Sequence, residues 1–233
     1  MNVETAIHST LDVRGEFPGI ADWHYLDSAA TAQKPKAVID AIARAYGPDY
    51  ATVHRGVYQR SSDMTGRYEA ARAAAASFIG GKPEELVFTR GATEAINLVA
   101  RSLPRQGRGR VLLSVLEHHS NIVSWQLAGY EVDAVPLTED GRIDLDAAEA
   151  MISEQHRIVA FAHVSNVLGS VLDARRAAEI AHSKGALLLL DGCQAVPRLP
   201  VDVAEIGCDF YAYSGHKLYG PTGIGCLWGR SEL

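Results

Sequence analysis

From residue 86 onward, short apolar runs rich in β-branched residues alternate with stretches of helical periodicity, and this alternation narrows the fold more than any other property of the chain. The runs cover 86–89, 111–115, 131–135, 158–163, 186–191, 209–214 and 224–228, and helical spacing covers 93–102, 121–127, 145–154 and 174–183. Strands that alternate with helices pair in parallel through crossover helices. The pattern therefore predicts an α/β fold with a seven-stranded, mainly parallel sheet and flanking helices. Only 215–223 separates the last two runs, too little for a crossover, so the final strand is expected antiparallel to its neighbour.

Upstream, 61–79 reads as an amphipathic helix with Met64, Tyr68, Ala71, Ala75 and Phe78 on one face, ended by Gly80-Gly81. A second helix is expected over 35–46, with Pro35 near its first turn. Residues 1–22 read as a short helix and a loop. This divides the chain into an N-terminal arm and helix, 1–60, and a large domain, 61–233.

Composition excludes several classes of function. The 233 residues are 47% hydrophobic and 21% charged, enough to bury a core without metal or disulfide staples. The net charge is −6 with no basic stripe, so no nucleic-acid partner is expected. The apolar run 186–190 is too short to span a bilayer. Glu4, Asp12 and Glu16 interrupt the first twenty residues, which lack the apolar region of a signal peptide. The expectation is a cytoplasmic protein with no membrane partner. The three cysteines, Cys193, Cys208 and Cys226, form no CxxC pair and show no zinc-like spacing, so no metal site is expected. Cys208 and Cys226 sit in strand-like runs, as small buried hydrophobes do.

The chemistry gathers at the ends of the predicted strands. Lys217 lies in Ser214-Gly215-His216-Lys217 between the last two strands, and Asp191 ends the most apolar one. A lysine amine near an acid on a neighbouring strand suits pyridoxal phosphate (PLP): the amine takes the aldehyde and the acid keeps the pyridine nitrogen protonated. Ser214 and His216 can donate to an anion, and Gln194 can reach the ring oxygen. Gly91-Ala92-Thr93-Glu94 joins the first strand to a helix, where free N–H groups favour a phosphate; Thr93 and Glu94 serve equally well as a cap and a first-turn acid. In Glu117-His118-His119-Ser120-Asn121, adjacent histidines project in different directions, so no chelating pair is expected. One imidazole can stack on a flat ring as an acid or base, but from spacing alone a helix cap by Ser120 or Asn121 is the better reading. Asn166 can reach a ligand or form an Asx-turn. Jointly, these loops offer a partner to one phosphate, one ring nitrogen, one ring oxygen and one aldehyde. No Walker or dinucleotide-binding glycine motif competes.

Several blocks carry a family resemblance: Tyr25-Leu26-Asp27-Ser28-Ala29-Ala30, Val53-His54-Arg55-Gly56, Thr89-Arg90-Gly91-Ala92-Thr93-Glu94, Glu117-His118-His119-Ser120-Asn121, His163-Val164-Ser165-Asn166, Asp191-Gly192-Cys193-Gln194 and Ser214-Gly215-His216-Lys217. Through them the chain resembles, nearly end to end, the SufS-type cysteine desulfurases, which group with selenocysteine lyases among the class V aminotransferase-like PLP enzymes. The resemblance implies the large domain of PLP fold type I. It implies conversion of L-cysteine to L-alanine with sulfur passed to an acceptor protein for iron–sulfur cluster assembly, with L-selenocysteine as the alternative substrate, in a homodimer. It also implies roles. Lys217 would hold PLP covalently and move protons at the substrate α-carbon. Asp191 would pair with the ring nitrogen and Gln194 with the ring oxygen. His118 would stack on the ring and transfer protons. Thr93, Ser214 and His216 would hold the phosphate. Asn166 would contact substrate or ring, and Ala30 with His54 and Arg55 would line the substrate's approach.

Two departures stand out. The family commonly has two threonines in the phosphate loop, and the first is Ala92 here; the lost hydroxyl implies weaker PLP binding, with the Ala92 backbone N–H remaining. Family members also continue into a smaller C-terminal domain that carries the persulfide cysteine, a carboxylate-binding arginine and a phosphate contact across the dimer. No residue among the 233 matches these, which implies little or no sulfur transfer by this stretch alone. Cys193 stands where the family places a small residue and has no evident thiolate-stabilising surroundings, so it is not expected to accept sulfur. The remaining alternatives are another PLP-dependent β-elimination and a non-catalytic, partner-binding homologue.

Overall fold

The computed structural model of the chain describes residues 13–20 and 22–233. The expected strands form one sheet: β1 (Leu86–Thr89), β2 (Arg110–Ser114), β3 (Glu131–Val135), β4 (His156–Ala162), β5 (Leu187–Asp191), β6 (Phe210–Ser214) and β7 (Gly225–Gly229). Their order is β1-β7-β6-β5-β4-β2-β3. The pairs from β6 to β3 are parallel, and β7 is antiparallel to β6, as the short connection requires, and to β1. Strand side chains alternate between two cores because successive residues point to opposite faces. Leu188 and Leu190 enter one core and Leu189 the other; Val159 and Phe161 enter one, Ile158 and Ala160 the other.

Helices α3 (Ala92–Ser102) and α4 (Ser120–Leu127) cover one face. The other is covered by α5 (Leu145–Met151), α6 (Ala174–Ser183), α7 (Val203–Ile206) and the end of α2 (Gln59–Ser77). The parallel strands thus deliver their C-terminal loops to one edge, where ligands bind in α/β folds. β1, separated from β6 by a strand antiparallel to both, sends its own loop to that edge as well.

One expectation is corrected, the face that α2 packs. The packed line of α2 runs through Ser61, Tyr68, Arg72 and Ala76 to Ile79, whereas Ala71 and Phe78 are exposed. The helix is rich in alanine, so a few specific contacts set its rotation: Arg72 lies over the Phe88 ring and donates to the Leu86 carbonyl at 2.5 Å. The short helix α7 was not expected, because four residues carry no period. It forms because the Asp202 carboxylate accepts from Ala204 and Glu205 and Gly207 ends it in the left-handed region. Pro35 stands as the extended N-cap of α1 (Lys36–Tyr46), just outside its first turn.

The expectation for 1–22 falls outside the described residues at 1–12 and 21; Arg14–Glu16 and Pro18–Ile20 are single 3-10 turns. α1 buries none of its residues, and Ile39, Ile42 and Tyr46 are exposed. Among the described residues, no helix is long and apolar enough to cross a membrane.

Candidate active site

A cavity of about 550 Å³ opens at the C-terminal edge of the sheet. Lys217, Asp191, His118, Asn166, Ala92, Thr93, Ser214, His216 and Ala30 all line it. Sequence reasoning passed over four further lining residues, Asp27, Ala29, Ser120 and Cys193, as site residues. Each carried a local signal, its place in one of the blocks quoted above: Tyr25–Ala30, Glu117–Asn121 or Asp191–Gln194.

Asp191 is buried, and one of its oxygens accepts the Cys193 backbone N–H at 3.0 Å. The next residue must be glycine: a Cβ on Gly192 would lie 2.1 Å from the Tyr211 ring. That ring is held in turn by a 2.8 Å hydrogen bond between its hydroxyl and His163 Nδ1. Burial lowers the His163 pKa, which keeps this imidazole neutral beneath the site.

The loop from β1 to α3 meets the end of β6. Ala92 donates its backbone N–H to Ser214 Oγ at 2.9 Å. The N–H expected to remain at Ala92 for a phosphate is therefore already committed, since nothing else nearby satisfies this first-turn donor. The approach is close: a Cβ on Gly225 would lie 2.5 Å from Gly91 Cα. Glu94 accepts the Arg90 N–H and so takes the acid's part in the turn, while the Thr93 side chain makes no hydrogen bond among the described residues.

His118 faces the cavity from the turn before α4. Neither Ser120 nor Asn121 caps that helix with its side chain; the His118 ring accepts the Ser120 N–H at 3.2 Å and lies 2.7 Å from the Ser120 hydroxyl. A backbone donor at Nδ1 places the ring proton on Nε2. Burial, with His119 and Lys217 nearby, lowers the His118 pKa. The two histidines do not diverge as expected: a helical turn at His119 brings the ring centroids to 4.2 Å. Among the described residues, no group of His, Cys, Asp and Glu could hold a metal ion.

Asn166 forms no Asx-turn. Ser165 Oγ accepts the Val167 and Leu168 N–H groups instead, each at 3.1 Å, which leaves the Asn166 amide to the cavity.

Lys217 ends a 3-10 turn, Gly215–Lys217, that the N-terminal arm clamps from outside. The His216 carbonyl accepts from Ala32 N at 2.9 Å, Lys34 Nζ at 3.2 Å and Thr31 Oγ1 at 3.3 Å. The His216 ring also meets Thr31 Oγ1 at 3.1 Å. Gln194 is buried beside this arm and does not line the cavity; its amide donates to Ala29 O at 2.7 Å. His54 and Arg55 do not line the cavity either. His54 sits 3.3 Å from Glu69 on α2 and stands edge-on to Tyr68.

The donor set fits PLP. One cavity of ligand size brings together an amine, a buried acid, an imidazole, hydroxyls and the start of a helix.

The sequence profile of the aminotransferase class-V family matches residues 24–233. The chain belongs to the aminotransferase class-V family. It is 50% identical over 217 residues to a cysteine desulfurase of Klebsiella pneumoniae (strain 342), covering 90% of this chain and 53% of that one. The crystal structure of cysteine desulfurase CsdA from Escherichia coli, in an S-sulfonic acid form, superposes with a TM-score of 0.85 at 42% identity, covering 94% of this chain and 57% of that one. The apo cysteine desulfurase of Thermococcus onnurineus NA1 gives 0.89 at 38% identity, covering 95% and 57%. The chain spans about half the length of the curated relatives it matches.

Proposed function

We propose that the chain is the PLP-binding part of a cysteine desulfurase that converts L-cysteine to L-alanine and passes sulfur to an acceptor protein for iron–sulfur cluster assembly. The observation that carries this reading is the convergence of Lys217, Asp191 and His118 on one cavity beside Thr93 and Ser214. Lys217 supplies the amine that holds the cofactor, and Asp191 supplies the carboxylate for its ring nitrogen. PLP, when bound, withdraws electrons from a bond at the substrate α-carbon. His118 presents Nε2 as the ring nitrogen for proton exchange, and its lowered pKa favours the neutral imidazole. Thr93, Ser214 and His216 hold the phosphate end, and Asn166 holds the ring or substrate. Gln194 acts through Ala29, whose loop it fixes. Ala30 lines the substrate's approach.

The division at residue 60 assigns the cofactor domain to 61–233, with Thr31, Ala32 and Lys34 of the preceding part closing the lysine turn. Exposed Leu26, Val57 and Tyr46 support a homodimer as the working form. Cys193, Cys208 and Cys226 are all buried with raised pKa values, which argues against any of them taking the sulfur. The same observation favours, as a second reading, a β-elimination of the selenocysteine-lyase kind that needs no acceptor thiol.

The test is the visible absorption spectrum of the chain with added PLP, beside Lys217→Ala. A visible band present in the parent and lost in the variant is the expected result; absence of the band from the parent would overturn the reading. Alanine and sulfide formed from added L-cysteine then separate turnover from binding.

A further inference from the structure

We propose that Glu117 is a positioning residue that sets the spacing between His118 and Asp191 across the cavity. The proposal rests on the reading of that cavity as a cofactor site and assigns Glu117 no contact with cofactor or substrate.

Glu117 is 8% exposed and immediately precedes His118. One carboxylate oxygen accepts the Ser114 hydroxyl at 2.6 Å and the Ala162 backbone N–H at 3.0 Å. The other accepts the Asn121 amide at 2.8 Å. Ala162 is the register partner of Asp191 in the β4–β5 pair. The residue before the imidazole is thereby fastened to the strand position directly opposite the acid.

Asn121 fastens the other side. Its backbone N–H donates to the His118 carbonyl at 2.7 Å, and its amide donates to Ala160 O, also on β4, at 3.1 Å. Its side-chain oxygen accepts the fully buried Trp125 indole N–H at 3.0 Å. His118 is thus bracketed by two buried side chains that are both bonded to β4.

The bracket suits a carboxylate. Two of its three partners, a backbone N–H and an amide NH₂, can only donate, so an ionised group with acceptors alone satisfies all three. This network keeps the turn in the form that directs the Ser120 N–H to His118 Nδ1 and leaves the proton on Nε2. Burial, reinforced by Asp191, raises the Glu117 pKa to about 7, and the three donors offset part of the cost of ionising it there.

Two measurements decide the matter. In the cofactor-free chain, the ¹⁵N signals of the His118 ring should report one tautomer, protonated at Nε2. In Glu117→Gln they should move toward an average of both tautomers, with a smaller move in Ser114→Ala, which removes one donor and no charge. With PLP, Glu117→Gln should weaken binding about tenfold, and in a His118→Ala background it should add no further loss. Unchanged ring signals, or an equal loss with and without His118, would overturn the proposal. A parent chain with no Lys217-dependent band would sink the cofactor reading, while the ring signals would still decide whether Glu117 positions His118.

Discussion

Ser214 Oγ accepts the Ala92 backbone N–H at 2.9 Å, across 122 residues of chain. This contact joins the end of β6, three residues before Lys217, to the first turn of α3, and it makes Ser214 both a candidate phosphate ligand and a structural tie. Ser214→Ala should therefore weaken PLP binding about tenfold and also lower stability by about 1 kcal/mol. Absorbance titration with PLP and urea denaturation check the two effects separately.

Ala92→Thr restores a hydroxyl at the start of α3. If the phosphate lies there, affinity for PLP should rise by about two- to tenfold, as one neutral hydrogen bond allows. The same titration reads it, and an unchanged affinity would place the phosphate elsewhere.

The Gln194 amide bond to Ala29 ties the arm to the domain. Gln194→Ala should free the arm, so hydrogen exchange at Ala30, Thr31 and Ala32 should quicken while the amides of β4 and β5 keep their protection.

Glu117 gives stability a pH dependence of definite sign. Its carboxyl rises from 4.5 to about 7 in the folded chain, so the folded state binds more protons than the unfolded state between those values. Its contribution is most favourable below that window and declines as pH rises through it, by up to about 3 kcal/mol. Glu117→Gln lacks this ionisation. Denaturation of both proteins across the window should show the parent losing stability relative to the variant as pH increases.

Cys193, Cys208 and Cys226 are buried with raised pKa values. A disulfide reagent at neutral pH should label none of them until denaturant is added. Fast labelling of the native chain would reopen Cys193 as a sulfur acceptor.

The seven strands and most helices were legible because each is written in a local period: residues 131–135 and 174–183 carry the bounds seen in β3 and α6. That Lys217 and Asp191 would meet at the strand ends was legible too, because each sits in a contiguous motif, whereas spacing alone favoured a helix cap over a cavity-lining His118. The face of α2 was not, since a run of alanines offers no preferred side until Arg72 meets Phe88 and the Leu86 carbonyl. Nor was the turn at His119 that sets the two imidazoles side by side.

The sequence by itself determined the α/β class, the antiparallel last strand and the chemical kinds gathered at the strand ends, since these follow from spacing and from residues adjacent in the chain. Only the tertiary structure decided the strand order, the capture of the Ala92 N–H by Ser214, the turn of Gln194 toward Ala29 and the pairing of His54 with Glu69 away from the cavity. Most of these link distant parts of the chain, and all depend on which polar groups remain unpaired once the core has closed, a condition that no local pattern encodes.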